Sequence, residues 1–179
     1  MLFHIGNHLF GLEGRTAHAA VMKAGRRVYR APLIEPILVT LMFLQVITGF
    51  RLAWRWSASP AEWRRVVQIA SGFYLSVFIL GHMNSVFIYA RYVHKIDTDW
   101  NFAIGAPTGL LYDAWNIRLL PHYAVGVFFV LVHLASGLRV VLLAHGVNPQ
   151  WIDRGWSAGV IVSFAVSAAI IAGMCGVRI

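Results

Sequence analysis

Two histidines lie within long apolar segments of the chain, at His82 and His133. An imidazole in such a segment is costly to bury and usually has a ligand or a hydrogen-bonding partner. Neutral imidazoles are common metal ligands, and two of them on facing helices can hold one iron from opposite sides. We therefore expect His82 and His133 to ligate one b-type haem. The alternative is that both rings only make hydrogen bonds between helices.

His133 begins a seven-residue pattern that occurs twice in the chain, at residues 45–51 and 133–139. Each copy has a small hydroxyl residue and a glycine in the middle and an arginine at its end. On a helix, Gly137 falls about 40° from His133 and one turn along, so a flat macrocycle can approach bare backbone beside the ligand. The terminal arginine can reach toward the membrane interface and bind a propionate. The pattern predicts these cofactor-binding residues: Gly49, Arg51, Gly137 and Arg139. The alternative is helix-packing glycines and arginines that extend to the lipid headgroups.

The depths of the two histidines in the membrane predict whether they can share one iron. His82 lies about 13 Å from the inner boundary if that boundary is at Arg91, and His133 lies about 18 Å from the start of its own segment. The difference is smaller than the width of a porphyrin. Neighbouring antiparallel helices are therefore expected to present both rings to one haem.

The composition indicates a protein that spans the membrane several times. Of the 179 residues, 59% are hydrophobic and only 12% are charged, about half the charged fraction of a soluble domain. The net charge of +8 comes largely from cations at the ends of apolar runs, which is typical of membrane proteins, so we expect lipid contact and no nucleic-acid partner. The single cysteine, Cys175, excludes an internal disulfide.

The expected fold is an all-α membrane protein with a bundle of four transmembrane helices. The predicted spans are residues 33–56, 66–92, 120–144 and 156–177, each long enough to cross the hydrocarbon. Residues 1–32 are predicted to form a cytosolic or interfacial segment, and residues 33–179 the transmembrane domain. Residues 94–119 are expected to form a long cap, re-entrant or lying on the surface, between the second and third helices. Three histidines of the N-terminal segment are expected to be solvated: His4, His8 and His18.

The distribution of Lys and Arg predicts the orientation. Nine of the 15 lie in the N-terminal segment, the connection from Arg91 to Arg118 and the C-terminus, and six lie on the other side. The excess predicts that both termini and the cap are cytoplasmic, in a bacterial-type inner membrane.

Three sequence features resemble the cytochrome b membrane anchor of the succinate dehydrogenase/fumarate reductase family. They are the His-x-x-x-Gly-x-Arg run at 133–139, the entry into the first span at 30–36, and the His82 helix that ends at 89–91. The resemblance implies a helical bundle that holds one or two b haems, exchanges electrons with a quinone, and docks a flavoprotein and an iron–sulfur subunit. His82 and His133 match histidine ligand positions of the family, whereas Gln45 stands where the two-haem anchors have another histidine.

Because the last span has no histidine, three outcomes remain open. They are one haem between His82 and His133, one haem on a single histidine, and a haem-free anchor. A quinone pocket needs polar groups near the interface, and the cap end offers six: Arg91, Tyr112, Asp113, Trp115, Arg118 and His122.

The leading hypothesis is a membrane electron-transfer subunit, non-catalytic by itself, of a quinone oxidoreductase complex. The competing hypotheses are a haem-free anchor or assembly protein, and another type of four-helix cytochrome b such as those that serve hydrogenases or formate dehydrogenases. The latter usually carry a histidine in the first span, which this chain lacks.

Overall fold

The computed structural model describes residues 1–56 and 62–179, and all the regular secondary structure in these ranges is helical. The helices are α1 (Leu2–Leu9), α2 (Arg15–Tyr29), α3 (Ile34–Trp56), α4 (Trp63–Met83), a π-helix (Asn84–Val93) that continues α4, α5 (Trp100–Ile104), α6 (Leu119–Ala144) and α7 (Pro149–Met174).

Four of these helices are long and apolar enough to cross a membrane. They are α3, α4 together with its π-helical continuation, α6 and α7. Their apolar spans are 22 (Ile34–Arg55), 31, 26 and 26 residues long, against the roughly 20 that a bilayer requires. The prediction of an all-helical fold with four helices long and apolar enough to span a membrane is thus confirmed. The last helix begins at Pro149 rather than at residue 156. Proline suits the first turn, and the Asn148 side chain caps it by accepting a hydrogen bond from the Gln150 backbone N–H at 2.9 Å.

Small residues bring the spans together. α6 packs most closely on α7 and α4, whereas α3 packs mainly on α4. Gly126 of α6 lies directly under the Phe78 ring of α4, where any side chain would collide with the ring. Ser167 of α7 donates a hydrogen bond of 2.8 Å to the Ala124 carbonyl of α6. Close backbone approach and hydroxyl bonds between helices are the expected means of association where lipid replaces water.

The second span changes its winding near its end. After Met83 the helix continues as the π-helix from Asn84 to Val93, a form that is rare and concentrated at functional sites. Arg91 in this segment makes a two-pronged ion pair with Glu35 at the start of α3, with the Nη2 to Oε2 contact at 3.2 Å. The pair joins the first two spans at this end of the bundle.

The N-terminal segment, the cap and the C-terminus meet at the same end of the bundle. The Ile179 backbone N–H donates to the Leu12 carbonyl at 3.1 Å. Arg26 of α2 donates to the Thr98 carbonyl of the cap at 2.9 Å, and Trp100 of α5 is only 3% exposed. Its ring fills the space above Gly11. Residues 1–30 are therefore packed onto the cap as two helices.

Candidate functional site

His133 lies in the middle of α6, facing α4, and its Nδ1 atom is held by two groups. Nδ1 is 3.1 Å from the Gln68 carbonyl oxygen and 3.1 Å from the Ser71 hydroxyl oxygen. The Ser71 hydroxyl itself donates to the Gln68 carbonyl at 3.0 Å. Since a carbonyl oxygen can only accept, Nδ1 carries the proton and donates to both oxygens. The other ring nitrogen, Nε2, therefore keeps a free lone pair, which is the state that a metal-ligating histidine requires.

The His133 ring packs against bare backbone at Gly72. A Cβ atom placed on Gly72 would lie 2.9 Å from Cε1 of the ring, closer than side chains normally approach. Ser71, next to it, is fully buried. The ring is thus positioned by one turn of α4 that supplies a carbonyl, a hydroxyl and a gap.

Substitution of Gly72 by alanine should displace the His133 ring and weaken the α4–α6 packing. We expect a loss of about 1–3 kcal/mol of stability, the usual cost of overpacking a tight contact. The matched control is Gly81→Ala on the same helix, where an added Cβ meets nothing within 4 Å. Thermal unfolding in detergent compares the two variants, and equal melting temperatures would show that the Gly72 contact is not needed.

Four charged side chains form a closed network near the start of α4. Arg139 donates from Nε to Asp153 at 2.8 Å and from Nη2 to Glu62 at 3.0 Å. Arg64 pairs with the same two carboxylates, at 2.7 Å to Glu62 and 3.3 Å to Asp153. The hydrogen bond from Arg64, with the nearby charge of Arg139, lowers the pKa of Glu62 although burial opposes this. The network joins the ends of α4, α6 and α7, and Arg139 already has two carboxylate partners.

A cavity of about 200 Å³ opens beside this network. The Arg64 guanidinium next to it lies 4.7 Å from the Trp63 ring and 5.7 Å from the Trp156 ring, and the two rings meet edge to face. The cavity is lined by Glu62, Arg64, Arg65, Gln68, Ser136, Arg139, Val140 and Leu143.

The structure does not bring His82 and His133 together. His133 lies opposite Gly72, ten residues before His82 on α4, which places the two histidines about 15 Å apart along the helix axis. Phe78, one turn before His82, contacts Gly126 and the His122 ring instead. The π-helical continuation carries the second span past the first residue of α6. Arg91 and the start of α6 therefore lie at different levels in the membrane. The depths of His82 and His133, which were counted from these two points, are not comparable, and the expectation of similar depth is wrong.

His82 instead faces a group of histidines on α1 and α2 that we call the histidine cluster: His4, His8, His18 and His82. Neighbouring rings are 4.8 Å apart for His4 and His8, 6.0 Å for His4 and His82, and 5.5 Å for His8 and His18. In residues 1–56 and 62–179, no three His, Cys, Asp or Glu side chains are arranged to hold a metal ion.

The prediction that the N-terminal histidines are solvated is wrong for His18, which is 2% exposed and packs on Trp100. Its Nε2 lies 3.1 Å from the amide nitrogen of the buried Asn7. Burial lowers the pKa of His18 and lowers that of His8 to about 3. The spacing of His4 and His8, one helical turn apart, is a signal of a shared face that the sequence offered.

The first copy of the repeated pattern lies apart from the second. Gly49 and Arg51 are exposed on α3, and an added Cβ at Gly49 meets nothing within 4 Å. Gly137 on α6 is equally open. Among residues 1–56 and 62–179, nothing would contact a side chain added at either glycine. Of the two arginines, Arg139 joins the charge network and Arg51 has no place in it among these residues.

Of the six residues predicted to bind quinone, only some contact one another. The Arg118 guanidinium stacks 3.8 Å from the Trp115 ring. Asp113 accepts the Trp115 backbone N–H at 2.8 Å and so holds the turn, whereas the Tyr112 side chain is 88% exposed. The His122 ring packs on Phe78, and Arg91 is bound to Glu35.

Compared with known proteins, the chain matches no family model, no curated protein and no solved structure.

Proposed function

We propose that this chain is a membrane-embedded electron-transfer subunit that holds one b haem through His133. The observation that carries the proposal is the state of the His133 ring, whose Nδ1–H is fixed by the Gln68 carbonyl while Nε2 keeps its lone pair. When bound, the haem supplies a one-electron carrier within the low dielectric of the bilayer.

The residues around His133 differ in how well they could hold a haem. Ser71 and the Gln68 carbonyl orient the ligand, and Gly137, one turn along α6, leaves its face open. Arg139 fits a propionate only by exchanging one of its carboxylate partners, Glu62 or Asp153. His82 is too far along α4 to serve as the opposite ligand, so we propose ligation by a single histidine.

The remaining expectations are part of the same proposal. A quinone is the proposed electron partner, and flavoprotein and iron–sulfur subunits are the proposed soluble partners, as the resemblance to the succinate dehydrogenase/fumarate reductase anchors implies. The proposed location is a bacterial-type inner membrane with both termini in the cytoplasm. Support for this orientation comes from the excess of Lys and Arg in the three segments that meet at one end of the bundle.

An absorption spectrum of the detergent-purified protein tests the proposal. We expect a Soret band and, because one side of the iron has no protein ligand, a shift of that band when carbon monoxide is added to the reduced protein. Gly137→Leu should lose this spectrum, since the new side chain would occupy the open face. Gly155→Leu is the control, because Gly155 on α7 is equally free of neighbours. A featureless visible region would contradict haem binding.

The second candidate is a haem-free membrane anchor. It is favoured by one observation, the complete pairing of Arg139 with Glu62 and Asp153, which gives this arginine a structural role. Unchanged stability after addition of haem to the purified protein would support this candidate.

A further inference from the structure

Two arginines, Arg26 on α2 and Arg30 directly after it, converge on one threonine of the cap. Arg26 donates from Nη2 to the Thr98 carbonyl at 2.9 Å and to the Thr98 hydroxyl oxygen at 3.2 Å. Arg30 donates from its own Nη2 to the same hydroxyl oxygen at 2.8 Å. Two guanidinium groups thus lie within hydrogen-bond distance of one neutral oxygen. Both keep further N–H donors, since a guanidinium carries five.

The positive charges of these two arginines are not neutralised by a carboxylate. Among the residues that the structure describes, neither Arg26 nor Arg30 forms an ion pair. The acid at the start of the first span, Glu35, is already paired with Arg91. Burial and the charges of Arg26 and Arg91 lower the pKa of Arg30, although Tyr29 and Glu35 oppose this. Positive charge is therefore concentrated here, and an anion would relieve the repulsion.

The two acids that flank Thr98 in the sequence do not take the place of such an anion. One carboxylate oxygen of Asp99 accepts the Phe102 backbone N–H at 3.1 Å, and the other accepts from the Asn101 amide at 3.3 Å. Asp99 therefore caps α5. Asp97 is exposed and makes no ion pair within the described part of the chain.

The arginine pair lies where the first apolar span begins. Arg30 precedes Ile34, the first residue of α3 and of that span, by four residues. Apolar side chains near Arg30 in the sequence are exposed, with Val28 at 60% and Leu33 at 77%. Cationic side chains among exposed apolar ones are typical of segments at the head-group layer of a bilayer. The anion that this position meets is therefore a lipid phosphate.

We propose that Arg26 and Arg30 bind the phosphodiester of an anionic phospholipid, while Thr98 holds the two guanidinium groups next to each other. The planar fork of arginine matches the oxygens of a phosphate and can donate two parallel hydrogen bonds to it. A zwitterionic head group would bring its own cation toward the two arginines and be repelled. The bound lipid would fasten α2 and the cap to the membrane surface, and this role does not depend on haem.

Native mass spectrometry of the full chain in detergent tests the proposal. The probe is dimyristoyl phosphatidylglycerol, and dimyristoyl phosphatidylcholine is the zwitterionic comparison with the same acyl chains. We expect the wild type to bind one phosphatidylglycerol about tenfold more tightly than phosphatidylcholine, the effect of a charge-assisted hydrogen bond. Arg30→Gln should remove most of this preference. Arg30→Lys should keep part of it, because the charge remains while the fork is lost.

Two further variants separate a lipid site from net charge and from packing of the cap. Arg15→Gln removes the same charge from the same helix at an exposed residue about 16 Å before Arg26 along the axis, so it should keep the full preference. Thr98→Val keeps both arginines and removes the hydroxyl that joins them, so it should lower the preference by severalfold. Melting temperatures of all variants show whether each one is folded.

Three results would overturn the proposal. Equal affinity of the wild type for the two lipids would show that the arginines do not select an anionic head group. Equal loss of preference in the Arg15 and Arg30 variants would assign the effect to net charge alone. Displacement of phosphatidylglycerol by an equal concentration of inorganic phosphate would make the arginine pair a site for a free anion rather than for a lipid.

Discussion

Substitution of His133 by alanine should remove the haem band from the purified protein, whereas substitution of His82 should leave it in place. His133 is the histidine whose Nδ1 is fixed and whose Nε2 is free, and His82 lies about 15 Å away along α4. The loss should be nearly complete, because we propose His133 as the single protein ligand of the iron. Haem content per protein, measured as the pyridine complex, gives the result directly.

Two companion variants show whether His133 acts as a ligand or as a packing residue. Ser71→Ala removes one of the two groups that hold Nδ1 and keeps the ring, so it should shift the haem reduction potential while haem content stays high. His145→Ala, at an exposed histidine after α6, should change neither quantity. Equal haem content in the His133 variant and the wild type would place the ligand elsewhere, and loss in the His82 variant alone would assign it to the histidine cluster.

Lowering the pH from 7.5 to 5 should loosen α1 and α2 from the end of the bundle. Burial lowers the pKa of His8 from 6.5 to about 3 and also lowers that of His18. In the released helices both rings bind protons below pH 6.5, but in the packed state they resist doing so. Packing of α1 and α2 is therefore strongest above about pH 6.5. Below this pH, each histidine lowers the equilibrium constant for packing by up to about tenfold per pH unit. For His8 this decrease continues to about pH 3.

Hydrogen–deuterium exchange of residues 1–30, corrected for the intrinsic pH dependence of exchange, measures this loosening. Protection should fall between pH 6.5 and 5 in the wild type while the α6 core stays protected. His8→Gln keeps a polar side chain that does not titrate, so its protection should depend less on pH. His145→Gln is the exposed control. Constant protection of α1 and α2 down to pH 5 would contradict a role for these histidines.

The sequence by itself determined the all-helical fold and the four helices long and apolar enough to span a membrane. Apolar length is a local property that each span carries alone, since a helix in lipid must satisfy its own backbone hydrogen bonds. An even number of spans then returns the C-terminus to the side of the N-terminus.

Only the tertiary structure decided which polar groups meet. The register between α4 and α6 depends on how far the π-helix carries the second span, and it separates His82 from His133. Burial of His18 depends on Trp100, which is distant in sequence, and the pairing of Arg139 depends on Glu62 and Asp153 from two other helices. The type and spacing of residues along one helix set its length and faces, but the partner of each side chain is set by the relative shift and rotation of several helices, which no single segment encodes.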